Sequence, residues 1–464
     1  MSGRILRLAT LAACACVAAA CAVKSTPSVE ELRTQSLENT KVPPAYAAGP
    51  TNTTDPTAGW LATFGEPALE ALVAEAMIYN SDLRVAAARV EAAAANARMA
   101  GAALYPQVNA LGRGGGKMSG DNSGLQGVGI VASWELDVWA RVRSLRAAGT
   151  EQYEATALDA EYARQSIAAL VAKSWFLARE AALQRRIAEE MVGSARSLAV
   201  LARDRLQVGR GDELEVNQAE ASVLSYRDIA LQAELARQNA LRAIEVLAGR
   251  YPSASVAVGE GLPTFAQPVP VGLPSQLLER RPDVRAAERR VAAAFHRTQE
   301  AQAARLPRIS LTGGVTSVSS ELFVLKERDN PIWSIGASIF APLFMGGALE
   351  AQAEVRTAEQ RAAVAEFGRI GSRAFNEVES ALSTSFNLEE RTQVLTGAVA
   401  SNERALGFAR VRLDVGSGDQ RGVQEQLLAL HAARTTLLRV QSERLIQRVN
   451  LYLALGGGFD TAPR

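Results

Sequence analysis

Cysteine is nearly absent from this chain. Its 464 residues hold three, Cys14, Cys16 and Cys21, all at the extreme N-terminus. Beyond that segment no disulfide framework and no thiolate metal site can be built. Histidine is limited to His296 and His431, which share no local Asp/Glu spacing, so a zinc site is unsupported. A lone histidine on a long helix is a packing or surface residue far more often than a ligand. Formal charge is only +1 with both signs interspersed, which excludes an extended nucleic-acid-binding surface. Aromatic residues make up 5%, while alanine is abundant, a composition suited to long, closely packed helices rather than a bulky globular core. Past the N-terminus no run reaches the roughly 18 consecutive apolar residues of a transmembrane helix. Any membrane insertion must then come from β-strands.

The N-terminus has the form of a secretion signal over 1–20: Arg4 and Arg7 supply the basic region and Leu8 to Ala20 the apolar one. Val17-Ala18-Ala19-Ala20-Cys21 resembles a bacterial lipoprotein box, in which Cys21 becomes the lipidated, palmitate-bearing first residue. An ordinary signal peptide cleaved near Ala20 is the other reading. An aspartate after the lipidated cysteine retains lipoproteins at the inner membrane of well-studied bacteria. Ala22 stands there, which favours the outer membrane.

Proline is also missing from two long stretches, between Pro106 and Pro252 and between Pro342 and Pro463. It crowds instead into 21–58, expected to be a lipid-anchored tether, and into 252–274, a crossover. Because proline breaks helix interiors, the proline-free stretches are where long helices can form. They also mark a duplication. Residues 82–112 align with 283–313 without a gap at an offset of 201: Asp82, Arg84, Arg89, Val90, Pro106 and Gly112 meet Asp283, Arg285, Arg290, Val291, Pro307 and Gly313. Ala132-Ser133 aligns with Ala337-Ser338 at 205, and "ARDRLQVGRGDELEV" with "ARVRLDVGSGDQRGV" at 207. The expected organisation is a first repeat over 59–251, a second over 275–457 and a tail over 458–464.

In the first repeat Ile187, Met191, Ala195, Leu198, Ala202 and Leu206 recur at steps of three and four, as do Val216, Ala219, Val223, Tyr226, Ala230 and Ala233 after the break. That alternation is a heptad seam. A helix from about Arg143 to Leu206 would run roughly 95 Å. "VGRGD" is then the tip of a helical hairpin at 207–212, with glycine as the left-handed C-cap and Asp212 as N-cap of the return helix. "VGSGD" repeats this at 414–419 with Gly416, Gly418 and Asp419.

Each repeat also carries two stretches of period two, predicted as strands near 106–114, 127–139, 307–318 and 331–342. Val128, Ile130, Ala132, Trp134, Leu136 and Val138 alternate with Gly129, Ser133, Glu135 and Asp137. Trp333, Ile335, Ala337 and Ile339 do so with Ser334, Gly336 and Ser338. The pattern fits a tilted membrane strand or, equally, one sheet of a soluble sandwich. Four strands cannot close a membrane barrel, and open edges are intolerable in lipid. Spanning strands would have to come from several chains.

Enzyme signatures are missing. "LGRGGGKMSG" fails the phosphate-loop pattern at Leu111 and Met118, and no catalytic or cofactor-binding set is identified.

"GLPSQLLERRPDVRAAERRVAAA" (272–294) resembles a hallmark of TolC-like outer-membrane efflux proteins, in the lipoprotein (NodT/OprM-like) branch serving resistance-nodulation-division pumps. "WLATFGEPALEALVAEAM", "SWELDVWARVRS" and "PLFMGGALEAQ" resemble other recurring segments of that branch. The resemblance implies a mainly α fold with a membrane β-barrel, in a homotrimer. Twelve strands, four from each chain, would continue into a long periplasmic α-helical barrel. It implies a passive exit duct working with a periplasmic adaptor and an inner-membrane pump. Val208-Gly209 and Val415-Gly416 map to the adaptor-docking tips. Asp419, Arg421 and Glu425 map to the periplasmic aperture, with Gly422 where an acid is often found. Glu135 and Asp137 are expected to face the channel interior, either to tune selectivity or merely to mark a wet face. Two other functions fit parts of the sequence: an exit duct for type I protein secretion, and a coiled-coil envelope lipoprotein without a pore.

Overall fold

The computed structural model describes residues 26–48, 59–113, 126–264, 269–319 and 332–459. Cys21, the signal segment, the end of the expected tether (49–58), residues 265–268 of the crossover, the strand connections 114–125 and 320–331, and residues 460–464 of the tail lie outside them. Among the described residues no helix is long and apolar enough to cross a membrane.

Helices dominate. After α1 (Val29–Ser36), a short 3-10 turn over Trp60–Phe64 leads into α2 (Pro67–Tyr79) and α3 (Ser81–Ala102). The strands β1 (Gln107–Arg113) and β2 (Gln126–Leu136) follow, then α4 (Arg141–Gln207) and α5 (Glu213–Leu247). The second half repeats the order: α6 (Leu277–Arg280), α7 (Pro282–Ala303), β3 (Arg308–Ser319), β4 (Ile332–Phe340), α8 (Ala348–Asp414) and α9 (Gln420–Ala454). The two hairpins match residue for residue: α4 and α8 each run 67 residues, α5 and α9 each 35. At 1.5 Å per residue the longer pair is about 100 Å in length. α1 falls within the expected tether yet begins with a full capping box, Ser28 and Glu31 each bonding the other's backbone N–H, and it buries Leu32.

The chain divides into two compact units, each drawn from both repeats, and the long helices contribute to both. One unit contains the sheet, antiparallel throughout in the order β1-β2-β3-β4. Small residues bring its helices close. A Cβ on Gly149 of α4 would stand 3.2 Å from Ala97 Cα on α3, and Ala286, Ala287, Ala293 and Ala294 of α7 are buried. Trp134 and Trp139 donate their indole N–H groups to the carbonyls of Leu104 (2.9 Å) and Pro307 (2.7 Å).

The other unit carries both hairpin tips and an aromatic core. Trp60 stacks on Tyr452 at 5.7 Å, and Phe64 meets Trp60 edge-on and Phe176 at 5.1 Å. Buried Arg179 pairs with Glu66 and donates to the carbonyls of Gly261 and Glu260. Arg281, inside the "LLERRPDVRAAERR" segment, is fully buried, paired with Glu377 at 2.6 Å and bonded to the Ala454 carbonyl at 3.0 Å. The segment's most deeply placed charge therefore anchors α9.

The ladder corrects one detail of the duplication. Gln107 pairs with Ser133, and its counterpart Arg308 pairs with Phe340. Ser133 therefore corresponds to Phe340, an offset of 207, the same as between the long helices, and not to Ser338 at 205. An Ala-Ser match is cheap in this composition, whereas backbone hydrogen bonds admit one register.

Candidate functional site: hairpin tips and an unclosed sheet

The two tips are built by the same local chemistry. Gly209 and Gly416 have φ of +70° and +72°, the left-handed region that side chains resist. Around them the chain closes a Schellman turn. Gly209 N–H donates to the Leu206 carbonyl (3.0 Å) and Arg210 N–H to the Arg205 carbonyl (2.8 Å). Gly416 and Ser417 do the same to Leu413 (3.0 Å) and Arg412 (2.9 Å). The second glycine has a different reason. A Cβ on Gly211 would lie 3.1 Å from Arg205 Cβ, and one on Gly418 would lie 3.0 Å from Arg412 Cβ. Asp212 and Asp419 then accept from the N–H groups of Glu215 (2.8 Å) and Gly422 (2.9 Å) as N-caps. Every fixed position of Val-Gly-x-Gly-Asp after the valine has a backbone cause, and the variable position has none. The valines remain: Val208 and Val415 are 69% and 70% exposed, apolar groups held out to solvent.

Of the three residues expected at an aperture, Arg421 and Glu425 are brought together, with a partner that sequence reading missed. Arg421 donates to Glu425 on its own helix (2.9 Å) and to Glu215 on the other hairpin (3.1 Å), while Arg205 lies 3.6 Å from Glu215. Asp419 faces its own helix N-terminus instead, as the cap. At the offset of 207, Glu215 is the counterpart of Gly422 and Leu214 of Arg421. The acid missing from the second tip is present on the first, and the base stands only on the second. That complementarity was readable by laying one tip over the other.

Glu135 and Asp137 are held by arginines. Glu135 lies near the end of β2 and takes two hydrogen bonds from Arg141, which also reaches Glu300. Asp137 lies beyond the strand, which stops at Leu136 rather than continuing to 139. There it accepts from the N–H groups of Val142 and Arg143, both at 2.9 Å, and pairs with the Arg143 side chain. The physical reason is the free N–H groups at the start of α4, which a carboxylate satisfies better than water does. His296 and His431 are both buried. His431 approaches Glu190 at 3.4 Å without hydrogen-bond geometry, and burial lowers its pKa. Among the described residues no His/Cys/Asp/Glu group is placed to hold a metal ion.

The sheet has one apolar and one polar face, and the strand pairing keeps them consistent. Val108, Ala110, Val128, Ile130, Trp134, Leu311, Val315, Trp333, Ile335 and Ile339 share the apolar face. Trp333 is 76% and Ile335 98% exposed. The opposite face carries Gln107, Asn109, Ser133, Ser310, Thr312, Ser334 and Ser338. Both edge strands, β1 and β4, keep one side unpaired.

A sheet with an exposed apolar face and two open edges is a part that further strands must complete. Comparison with known proteins agrees. The family described as outer membrane efflux protein matches twice, over residues 72–250 and 273–457. The chain is 32% identical to the cation efflux system protein CusC of Escherichia coli O6:H1 over 412 residues, covering 87% of this chain and 89% of that protein. It is 31% identical to the probable efflux pump outer membrane protein TtgC of Pseudomonas putida over 444 residues, covering 90% and 88%. The open-state structure of the Neisseria gonorrhoeae MtrE outer membrane channel superposes with a TM-score of 0.80 at 27% identity, covering 95% of this chain and 99% of that one. These relatives are efflux and channel proteins rather than enzymes. The chain belongs to the outer membrane efflux protein family.

Proposed function

We propose that three copies of this chain form the outer-membrane exit duct of a tripartite efflux system and conduct small molecules passively to the outside. The observation that carries this reading is the unclosed four-stranded sheet. Its apolar face suits lipid, but its free N–H and C=O groups at both edges cannot face lipid. Three sheets of four strands give twelve, an even number within the range of bacterial barrels. The lipid on Cys21 would add an anchor beside the strands.

In this reading an inner-membrane resistance-nodulation-division pump supplies the energy. A periplasmic adaptor grips Val208-Gly209 and Val415-Gly416, whose exposed valines offer an apolar contact at a rigid turn. The Glu215–Arg421–Glu425 network ties the two hairpins of one chain near the aperture, and opening requires it to loosen. The test is restoration of drug export in a strain lacking its own duct. Wild-type protein should restore it. Gly416→Val should not, while still forming trimers. Export unchanged in Gly416→Val and in Gly209→Val would remove the tips from the docking role.

A further inference from the structure

We infer that the free edge of β4 joins the free edge of β1 of a neighbouring copy in a single register: Phe340 opposite Leu111, Ile339 opposite Gly112 and Ser338 opposite Arg113. This rests on the trimeric reading above and specifies its seam.

The duplication supplies the template. Within one chain the two repeats meet at β2–β3, where Ser133 pairs with Thr312 and Ala132 with Gly313. Thr312 and Gly313 are the counterparts of Leu111 and Gly112 at the offset of 201. Ser133 and Ala132 are the counterparts of Phe340 and Ile339, because Gln107↔Ser133 and Val108↔Ala132 correspond to Arg308↔Phe340 and Ile309↔Ile339. In a closed barrel made of repeats, each repeat joins the next in the same way. The β2–β3 pairs then translate into Phe340–Leu111 and Ile339–Gly112 across the chain boundary.

Two further observations agree. Partners across a ladder must share a face, and a slip of one residue would turn the apolar side of a strand inward. Apolar residues occupy odd positions on β4 (Trp333, Ile335, Ile339) and even ones on β1 (Val108, Ala110), so Ile339 opposite Gly112 keeps the faces aligned. A slip of two residues would also keep them aligned, and here side chains decide. Leu111 and Phe340 are large apolar groups, one on β1 and one on β4, on the face that carries most of the sheet's Gln, Asn, Ser and Thr, and they are 57% and 64% exposed; Ile332, the other large apolar group of that face on a free edge, lies at the opposite end of β4. The inferred register sets them directly opposite, with Cβ atoms about 4.5–5.5 Å apart. A slip of two sets Phe340 against Asn109 or Arg113. Within the chain the equivalent pair is polar, Ser133–Thr312; between chains it is apolar.

Paired cysteines test this. The only other cysteine of the processed chain is Cys21. Leu111→Cys with Phe340→Cys, in the full chain in outer membranes, should give covalent trimers on oxidation, because directly opposite Cβ atoms lie within about 1 Å of the roughly 3.5–4.5 Å of a disulfide whereas diagonal ones lie about 7–8 Å apart. The two positions cannot join within one chain, since three strand spacings separate them by about 14 Å. The diagonal pairs, Asn109→Cys or Arg113→Cys with Phe340→Cys, should give at least tenfold less product. Preferential cross-linking of either diagonal pair overturns the register and leaves the trimer standing. No cross-link from any pair, in particles whose mass is three chains, overturns a β4–β1 seam. Particles of one chain would instead refute the trimeric reading beneath it.

Discussion

The two tip glycines should fail in different ways when given a side chain. At Gly416 a Cβ meets nothing within 4 Å, so the cost of Gly416→Ala is backbone strain at φ +72°, about 1–2 kcal/mol. Loss of chain freedom in the unfolded state offsets about 0.4–1 kcal/mol of this, and valine, branched at Cβ, should fare worse. At Gly418 the backbone is unstrained, but a Cβ would stand 3.0 Å from Arg412 Cβ and 3.2 Å from Arg412 C. Gly418→Ala must push the turn off the helix end and lengthen the bond from its own N–H to the Arg412 carbonyl, now 2.8 Å. Ser417→Ala should be nearly silent, since the Ser417 hydroxyl sits at 3.4 Å from its acceptor. Amide hydrogen exchange reads these effects locally, because a hairpin tip opens without global unfolding. The net cost, up to about 1.6 kcal/mol, corresponds to exchange up to about 15-fold faster over residues 412–420 in Gly416→Ala. Gly418→Ala should match or exceed it, with Ser417→Ala unchanged. Equal exchange in all four proteins, or Ser417→Ala as damaging as Gly416→Ala, would refute the account of the Val-Gly-x-Gly-Asp frame as backbone geometry.

Three further outcomes follow from the described contacts. Arg421 and Glu215 are 48% and 28% exposed, so the pair contributes only about 0.2–1 kcal/mol per chain. Arg421→Glu should therefore raise the open probability in planar bilayers, and 1 M salt should narrow the gap to wild type; no change in either condition would remove this network from gating. Arg281→Met should destabilise the folded chain by about 2–3 kcal/mol, less than the 3–5 of a fully buried pair because Glu377 stays partly solvated; an unchanged unfolding temperature by circular dichroism would contradict this. Glu245 is buried, which pushes its pKa up, but hydrogen bonds from the N–H groups of Ala254 and Ser255 outweigh burial and lower it. Its contribution is then present above the unfolded carboxylate value of about 4.3 and lost as pH falls through the lower folded value. Exchange at Ala254 and Ser255 should accelerate over that acid range in wild type and be uniformly fast in Glu245→Gln; a wild type insensitive to acid would contradict it.

Much of this molecule was legible in its sequence because the signals are local. Proline-free stretches and three-four spacing marked the long helices. Glycine and aspartate marked the tips, and period two marked the strands. What stayed hidden depends on partners distant in sequence. Asp137 reads as a residue inside an alternating strand over 127–139 until the free N–H groups of Val142 and Arg143 are seen to claim it. The pairing of Arg421 with Glu215 crosses 206 residues. The offset between β2 and β4 was misread at 205 because Ala-Ser recurs by composition, while only the ladder states which residues face each other. Helix α1 was overlooked because eight residues are too few for a periodic pattern, although its capping box was present.

The central claim is that one chain supplies part of a wall that others complete. Its most direct test is the molar mass of the protein extracted from outer membranes in mild detergent, by light scattering with the detergent subtracted. The account predicts three chains per particle. A folded particle of one chain would leave β1 and β4 with open edges in lipid and contradict the channel.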